Sequence, residues 1–469
     1  MSDKKSDLEK NYEYAWQKYS QGDLTKIFEL ADRYKNFISI CKTERECIAE
    51  FIKLARKQGY SDINDIINDG KTLKAGDKVY ANNRGKSLAL YVIGKEPFEK
   101  GLKILGAHVD SPRMDLKQNP LYEDTDLAML ETHYYGGIKK YQWVTIPLAI
   151  HGVIVKKDGE IINVIIGEDE SDPVFGVSDL LIHLSQDQLK KSLATGITGE
   201  DLNILVGSIP SSDKDIKTKV KYNILKILNE KYNISEEDFV SAELEVVPAG
   251  KARDYGFDKS MIMGYGQDDR ICAYTSFEAM MDINETDKTC VTILADKEEI
   301  GSVGATGMHS KFFENATAEV VQCAGDYNDI KLKRALANSK MLSSDVSAAF
   351  DPNYPSVMEK KNTAYLGKGV VFNKYTGARG KSGCNDARAE YLAEIRAMMD
   401  KHNVSWQTSE LGKVDQGGGG TIAYILAQYG MDVIDSGVAL LNMHAPWEIS
   451  SKVDIYETQN AYRAFLIEA

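Results

Sequence analysis

Cysteine is sparse in this chain of 469 residues, and its six copies are scattered: Cys41, Cys47, Cys272, Cys290, Cys323 and Cys384 show no C-x-x-C spacing. That pattern argues against a disulfide framework or a cysteine zinc site and suits reduced thiols in a cytosolic protein. Long apolar runs are missing too. The longest, 144–155, is interrupted by Thr145, Pro147, His151 and Gly152, short of the roughly 18–20 residues that cross a bilayer. The charged start, MSDKKSDLEKNYEY, has no apolar stretch behind it and does not read as a secretory signal. Positive charge is also in deficit, with 57 Lys and Arg against 70 Asp and Glu for a net charge of −13. Such a chain is a poor counterion for phosphate, which argues against nucleic acid and anionic membrane surfaces as partners. The expected setting is the cytoplasm, with no nucleic acid and no membrane.

What is present is an ordinary globular balance, 43% hydrophobic and 27% charged, able to bury a substantial core. At about 150 residues per domain the length predicts roughly three domains. The pattern along the chain is more specific. Tyr12, Trp16 and Tyr19 predict a first helix; after a break at Gly22-Asp23, Ile27, Leu30 and Ala31 begin a second, and Ile48, Phe51, Ile52 and Ala55 a third. Short apolar runs at 79–81, 88–93 and 102–108 predict buried strands. Residues 112–253 change texture, with strands expected over 143–148, 152–156, 161–166 and 242–247 and a polar helix over 213–232. After Tyr255 an α/β alternation returns: helix 271–281, strand 290–295, a Gly-rich stretch, strand 340–343 and helix 386–401. The simplest account is one α/β domain built from both ends of the chain, 1–111 and 254–469, interrupted by a β-rich insertion, 112–253.

Several motifs stand at predicted strand ends, where open α/β sheets place their sites. Gly106-Ala107-His108-Val109-Asp110-Ser111-Pro112 puts His108 and Asp110 on one face of a strand, and a carboxylate beside an imidazole selects which ring nitrogen binds metal. Asp296-Lys297-Glu298-Glu299-Ile300-Gly301-Ser302 sets two adjacent carboxylates after a buried strand. Gln267-Asp268-Asp269-Arg270 opens a helix, Ser343-Ser344-Asp345 follows a strand, and Asn442-Met443-His444-Ala445-Pro446 follows the run 438–441. Each alone has an ordinary structural role to fill: a strand-end histidine, a solvated acidic loop, a helix cap, a turn, a core histidine.

Together they form an ordered set of nitrogen and oxygen donors, His108, Asp268, Glu299, Asp345 and His444, without thiolates. Such a set suits zinc, with cobalt or manganese as alternatives. Two divalent ions would be neutralised by Asp268, Glu299, Asp345 and one hydroxide, leaving Glu298 as a base.

With these residues the chain resembles the zinc aminopeptidases of the aspartyl aminopeptidase and vacuolar aminopeptidase I family over nearly its whole length. Tyr135-Gly136-Gly137 and Gly418-Gly419-Gly420-Thr421-Ile422-Ala423 resemble further signatures of that family. The resemblance implies a three-layer zinc-exopeptidase-like α/β catalytic domain with a mixed sheet, interrupted by a smaller β-rich dimerisation domain. It implies two zinc ions per subunit, one on His108, Asp268 and Asp345 and the other on Asp268, Glu299 and His444. Glu298 would be the catalytic base and Asp110 the residue orienting His108. It also implies peptide substrates and a homo-oligomer, a tetrahedral dodecamer built from dimers, in which His183 of Leu180-Leu181-Ile182-His183-Leu184 reaches a neighbouring site.

Two departures bear on substrate choice. Asp351, in Asp351-Pro352-Asn353, stands where members with acidic preference carry a histidine, and Trp143-Val144-Thr145-Ile146-Pro147 replaces a Trp-x-Asp-Arg segment. Lys374 matches the lysine that receives an acidic side chain only with a one-residue gap. A carboxylate near the pocket favours a neutral or basic N-terminal side chain, so the residue removed stays open between acidic and neutral. Two other functions compete with an aminopeptidase: a related dinuclear deacylase or carboxypeptidase, and a non-catalytic scaffold shell.

Overall fold

A computed structural model describes residues 12–325, 327–377 and 380–469. Most of the charged start read above as lacking an export signal lies outside the described residues. Among them, no helix is long and apolar enough to cross a membrane.

Among the described residues, nine strands form a mixed sheet. In spatial order they are Ser61–Asp62, Lys78–Asn83, Ser87–Val92, Cys290–Ala295, Lys103–His108, Lys340–Ser344, Asp432–Gly437, Val370–Asn373 and Trp406–Thr408. The four from Cys290–Ala295 to Asp432–Gly437 run parallel. Two of them, Cys290–Ala295 and Lys103–His108, are buried at every residue, as a parallel strand covered on both faces must be. Helices Gln21–Ile40, Glu44–Lys57, Gln267–Met281, Ala389–Lys401 and Lys452–Glu468 cover one face. Helices Ile63–Asn68, Phe312–Cys323, Asp329–Ala337 and Ala423–Ala427 cover the other. The result is the expected three layers.

Local sequence explains the covering helices. Gln21–Ile40 buries Ile27, Leu30, Ala31, Tyr34, Phe37 and Ile38, a single stripe at helical spacing. Its N-terminus is capped by Ser20, which accepts the Asp23 N–H at 3.4 Å. Gly22 and Asp23 therefore lie inside this helix instead of breaking it, and the helix predicted before them is a single 3-10 turn, Ala15–Lys18. Helix Gln267–Met281 is buried on almost every side, because it packs between the sheet and the C-terminal helix.

Residues between Arg113 and Pro248 build a second sheet, antiparallel, in the order Ile161–Ile166, Leu148–Val155, Ala242–Pro248, Arg113–Asp124, Leu127–Tyr135, Ile204–Gly207. It has its own core around Trp143, Leu148, Val246 and Ile204. The strand expected over 143–148 is absent: Thr145 has a φ of 61° and Pro147 has no N–H, so the chain turns there and pairs only from Leu148. The predicted helix over 213–232 begins at Lys219, after Asp213 accepts the N–H of Asp215 in a local turn. The hairpin Arg113–Asp124 and Leu127–Tyr135 was not visible in the apolar pattern. Its two-residue turn, Thr125-Asp126, has positive φ at both positions, the geometry that matches strand twist.

A third, five-stranded sheet (Arg253–Tyr255, Met261–Gly264, Glu448–Ser451, Ala439–Leu441, Ser347–Ala348) lies beside the first and carries the chain past His444.

Candidate metal centre

The parallel strands deliver the site at their C-terminal ends. Strand Lys103–His108 ends on His108, in register with Ala295 of its neighbour. Cys290–Ala295 then runs into a 3-10 turn, Glu298–Ile300, entered through Lys297 and left through Gly301, both with positive φ. Lys340–Ser344 leads directly to Asp345. Asp268 and Asp269 open the buried helix with non-helical backbone angles, and His444, at a φ of 64°, follows Ala439–Leu441.

Asp268 is the centre of the arrangement. Its Oδ1 lies 3.3 Å from His108 Nε2 and its Oδ2 3.2 Å from His444 Nε2. Around His108, Asp345 Oδ1 and Glu298 Oε2 both stand 3.9 Å from Nε2. Around His444, Glu299 Oε2 lies 3.7 Å from Nε2. Bonds of 2.0–2.1 Å in a tetrahedral site put ligand atoms about 3.3 Å apart, so the separations from Asp268 to the two imidazoles are those of atoms that could share a metal ion. Ligand atoms of His108, Asp268 and Glu299 fall within 4.8 Å of one another, as do those of His108, Asp269 and Asp345. Asp269 is buried behind Asp268 and does not line the cavity that Asp268 faces.

The electrostatics call for cations. Burial, reinforced by neighbouring acids, pushes the Glu299 and Asp345 carboxyls well above their usual range and Glu298 up to about 7. Burial would lower the His444 imidazole, yet Asp268 and Glu299 hold it up to about 10. Glu299 Oε1 is buried without a hydrogen-bond partner, which costs free energy unless a cation or donor meets it. No Lys or Arg lines the adjoining cavity of about 530 Å³ among the described residues. Metal binding needs neutral imidazoles and ionised carboxylates, so a cation at this nitrogen and oxygen donor set would take the place of the protons that these groups hold.

The comparison that decides the family is the match of residues 37–466 to the model described as Aminopeptidase I zinc metalloprotease (M18). The chain belongs to the M18 family. It is a zinc aminopeptidase, 73% identical over 461 residues to a probable M18 family aminopeptidase 1 of Clostridium acetobutylicum, covering 98% of this chain and 99% of that one. A probable M18 family aminopeptidase 1 of Thermotoga maritima is 46% identical over 442 residues, covering 94% and 96%. The crystal structure of aminopeptidase I from Clostridium acetobutylicum superposes with a TM-score of 0.92 at 70% identity, over 98% of this chain and 100% of that chain. The S. cerevisiae mApe1 dodecamer is similar in fold, with a TM-score of 0.74 at 22% identity over 93% and 95% of the chains.

In this M18 aminopeptidase, His108, Asp268, Glu298, Glu299, Asp345 and His444 come together, and Asp110 stands beside them. The His108 Nδ1–H donates to the Asp110 backbone carbonyl at 3.0 Å; the Asp110 carboxylate is 3.4 Å from that nitrogen and serves other donors. Three residues lie apart. Lys374 is ion-paired with Asp386, Asp351 accepts the Asn353 N–H at 2.8 Å in a turn, and neither lines the cavity. His183 is exposed on the 3-10 turn Ile182–Leu184, outside the cavity of its own chain.

Two residues were missed. Glu448, four positions after His444, is buried, accepts the His444 N–H with Oε1 at 2.9 Å and accepts the Asp268 N–H with Oε2 at 3.1 Å. Asp435 lines the cavity and accepts from Thr421 Oγ1 at 2.6 Å, which ties the Gly-rich run 417–420 to the sheet. The spacing to His444 was the available signal for Glu448; Asp435 reads in sequence as one more residue of a buried strand.

Proposed function

We propose that this zinc aminopeptidase is a co-catalytic dinuclear enzyme that removes one residue from a free peptide N-terminus, with two zinc ions sharing Asp268. The observation that carries the reading is the Asp268 carboxylate, one oxygen near each imidazole. His108, Asp268 and Asp345 would hold one ion, and His444, Asp268 and Glu299 the other; cobalt or manganese suits the same donors. When bound, zinc supplies Lewis-acid polarisation of the scissile carbonyl and makes a water acidic enough to attack near neutral pH. Glu298 faces the cavity from the same turn as Glu299. Its carboxylate takes the proton of the attacking water and delivers it to the leaving amine. Asp110 holds that turn by accepting the Glu298 N–H at 3.1 Å and the Glu299 N–H at 3.2 Å. The peptide's α-ammonium is drawn by the carboxylates facing the cavity, so a free amine is required.

The remaining parts of the reading concern assembly and selectivity. Residues 1–111 and 254–469 act as the catalytic unit and 112–253 as the assembly unit, which carries exposed Leu180, Leu181, Ile182 and Leu184 around His183. The mApe1 dodecamer supports a homo-oligomer, here a tetrahedral dodecamer of dimers, with His183 supporting the oxyanion of a neighbour. His183→Phe should then lower kcat by about 10²–10³, the worth of one such donor, and an assembled variant with unchanged kcat removes His183 from the site. Lys374, next in sequence to the cavity-lining Asn373, and Asp351 would tune the N-terminal residue from outside the cavity lining, and the enzyme works in the cytoplasm on cytosolic peptides.

The test is a panel of Asp, Glu, Leu and Lys aminoacyl substrates, free and N-acetylated, on protein reconstituted with zinc, cobalt or manganese. Free-amine substrates should be cleaved and their acetylated forms spared. Comparable cleavage of the acetylated forms, or release of C-terminal residues, contradicts the proposal and favours a deacylase or carboxypeptidase.

A further inference from the structure

We infer that Tyr135-Gly136-Gly137 is a positioning element for the metal site, contributed by the second sheet: Tyr135 fixes the turn carrying Glu298 and Glu299, and Gly137 fixes the ring of His444. The inference rests on the reading of His108, Asp268, Glu299, Asp345 and His444 as ligands.

The segment ends the strand Leu127–Tyr135, which belongs to the antiparallel sheet and not to the sheet that carries the ligands. Tyr135 donates its hydroxyl hydrogen to Asp110 Oδ2 at 2.8 Å. The same carboxylate accepts the N–H groups of Glu298 and Glu299, while the Asp110 carbonyl accepts from His108 Nδ1. Asp110 is fully buried, so water does not replace a lost donor. The tyrosine ring is itself pinned. The Arg113 guanidinium lies 3.9 Å from its centroid and is anchored by Asp115 at 2.8 Å and Glu245 at 3.1 Å.

The next two residues reach the other metal position. Gly136 has a φ of 74°, and a Cβ there would stand 3.2 Å from Glu299 Oε2 and 3.3 Å from its Cβ. Only glycine lets the backbone pass this close to the ligand without strain. The Gly137 carbonyl accepts from His444 Nδ1 at 2.8 Å. That bond selects the tautomer with its proton on Nδ1, leaving the Nε2 lone pair toward Asp268 and the cavity. One short segment therefore sets the outer layer of both metal positions, and the sheet outside the catalytic layers is part of the catalytic apparatus.

The experiment compares Tyr135→Phe with Tyr134→Phe, its exposed neighbour on the strand, in the full-length chain. Zinc affinity of metal-free protein is measured by chelator competition, and the visible spectrum of cobalt-loaded protein reports ligand geometry. Wild type and Tyr134→Phe should match. Tyr135→Phe should raise the zinc dissociation constant by about 10–100-fold, the usual effect of losing an outer partner of a metal ligand, and shift the cobalt bands. If wild type binds no zinc, the ligand reading fails and this inference with it. If wild type binds and Tyr135→Phe keeps both affinity and spectrum, the inference alone is overturned. Should Tyr135→Phe not fold, Gly137→Ala decides, because its Cβ would meet His444 Nδ1 at 3.3 Å while no hydrogen bond is deleted. A changed cobalt spectrum with weakened zinc binding sustains the inference, and an unchanged one overturns it.

Discussion

Two clusters of buried charge lie on either side of Tyr135, built on opposite plans. On the side of the antiparallel sheet, Arg113 is paired with Asp115, Glu245 and Glu44, and Lys86 with Glu44 and Glu243. Burial opposes ionisation of Glu44, yet Arg113 and Lys86 hold its carboxyl well below the usual range. On the side of the parallel strands, Asp268, Glu298, Glu299 and Asp345 surround two histidines, and no Lys or Arg among the described residues lines the space they face. The first cluster carries its own cations and joins two sheets. Both hold acids that burial pushes up and buried oxygens without a hydrogen-bond partner, Glu245 in the first and Glu299 in the second. The second differs in opening on a cavity with no Lys or Arg among the described residues, so its cations must come from outside. Buried charge marks a binding site when its compensation is missing from the chain.

The comparison can be broken most forcefully at Glu298. Glu298→Gln should lower kcat by about 10²–10⁴, the range for a general base, with zinc content unchanged by elemental analysis. Loss of zinc along with activity would make Glu298 a ligand instead. On the other side, Arg113→Met removes a cation from the self-compensated cluster, leaving Glu245 uncompensated and Glu44 with Lys86 alone. Urea unfolding of the metal-free protein should show a loss of about 3–5 kcal/mol. A loss seen only in the zinc-loaded protein would contradict the separation of roles.

The contrast also sets a pH dependence. In the metal-free protein burial pushes Glu448 up to about 8 and Asp435 up to about 7, from ordinary values of 4.5 and 3.8. Both bind their protons more tightly folded than unfolded. Their stabilising contribution is therefore complete at low pH and lost as the pH rises through those values. His444, held up to about 10, acts in the same sense. The Tm of metal-free protein should fall from about pH 5 to about pH 8. Added zinc should offset the fall increasingly as the pH rises, because it competes with protons for His444 and the other proposed ligands. A metal-free Tm that rises over this interval would contradict the assignment.

The smallest effect is expected at Glu448→Gln. An amide accepts with one oxygen where the carboxylate accepts with two, so either the His444 or the Asp268 N–H is orphaned. Zinc affinity should fall about 10–100-fold, while Glu448→Asp keeps both acceptors and should recover part of the loss.

Much of this layout was legible in the chain, for reasons that can be named. The strands ending at His108 and Ala295 read clearly because strands buried on both faces must be continuously apolar. Turns at their ends made the charged residues after them conspicuous. The hairpin Arg113–Asp124 and Leu127–Tyr135 was not legible, since polar Lys117, Gln118 and Asn119 interrupt its first strand where the register shifts and its apolar positions are irregular. The site shows the same division. The acids and histidine that face the cavity from strand ends stood out, whereas Asp435, which also lines it, lies within a buried strand and did not. Asp110 is partnered by Tyr135 from another sheet, and Glu448 acts through backbone N–H groups. Those contacts depend on tertiary proximity that spacing alone does not reveal.

Two external dications balancing the acids around Asp268 are the central requirement of the proposed site. Calorimetric titration of zinc into metal-free protein near neutral pH tests it directly. The result predicted is two ions per chain with net proton release, both sites weakened together in Asp268→Asn. A stoichiometry of one or none, or an Asp268→Asn variant that loses a single site and leaves the other untouched, contradicts a shared carboxylate.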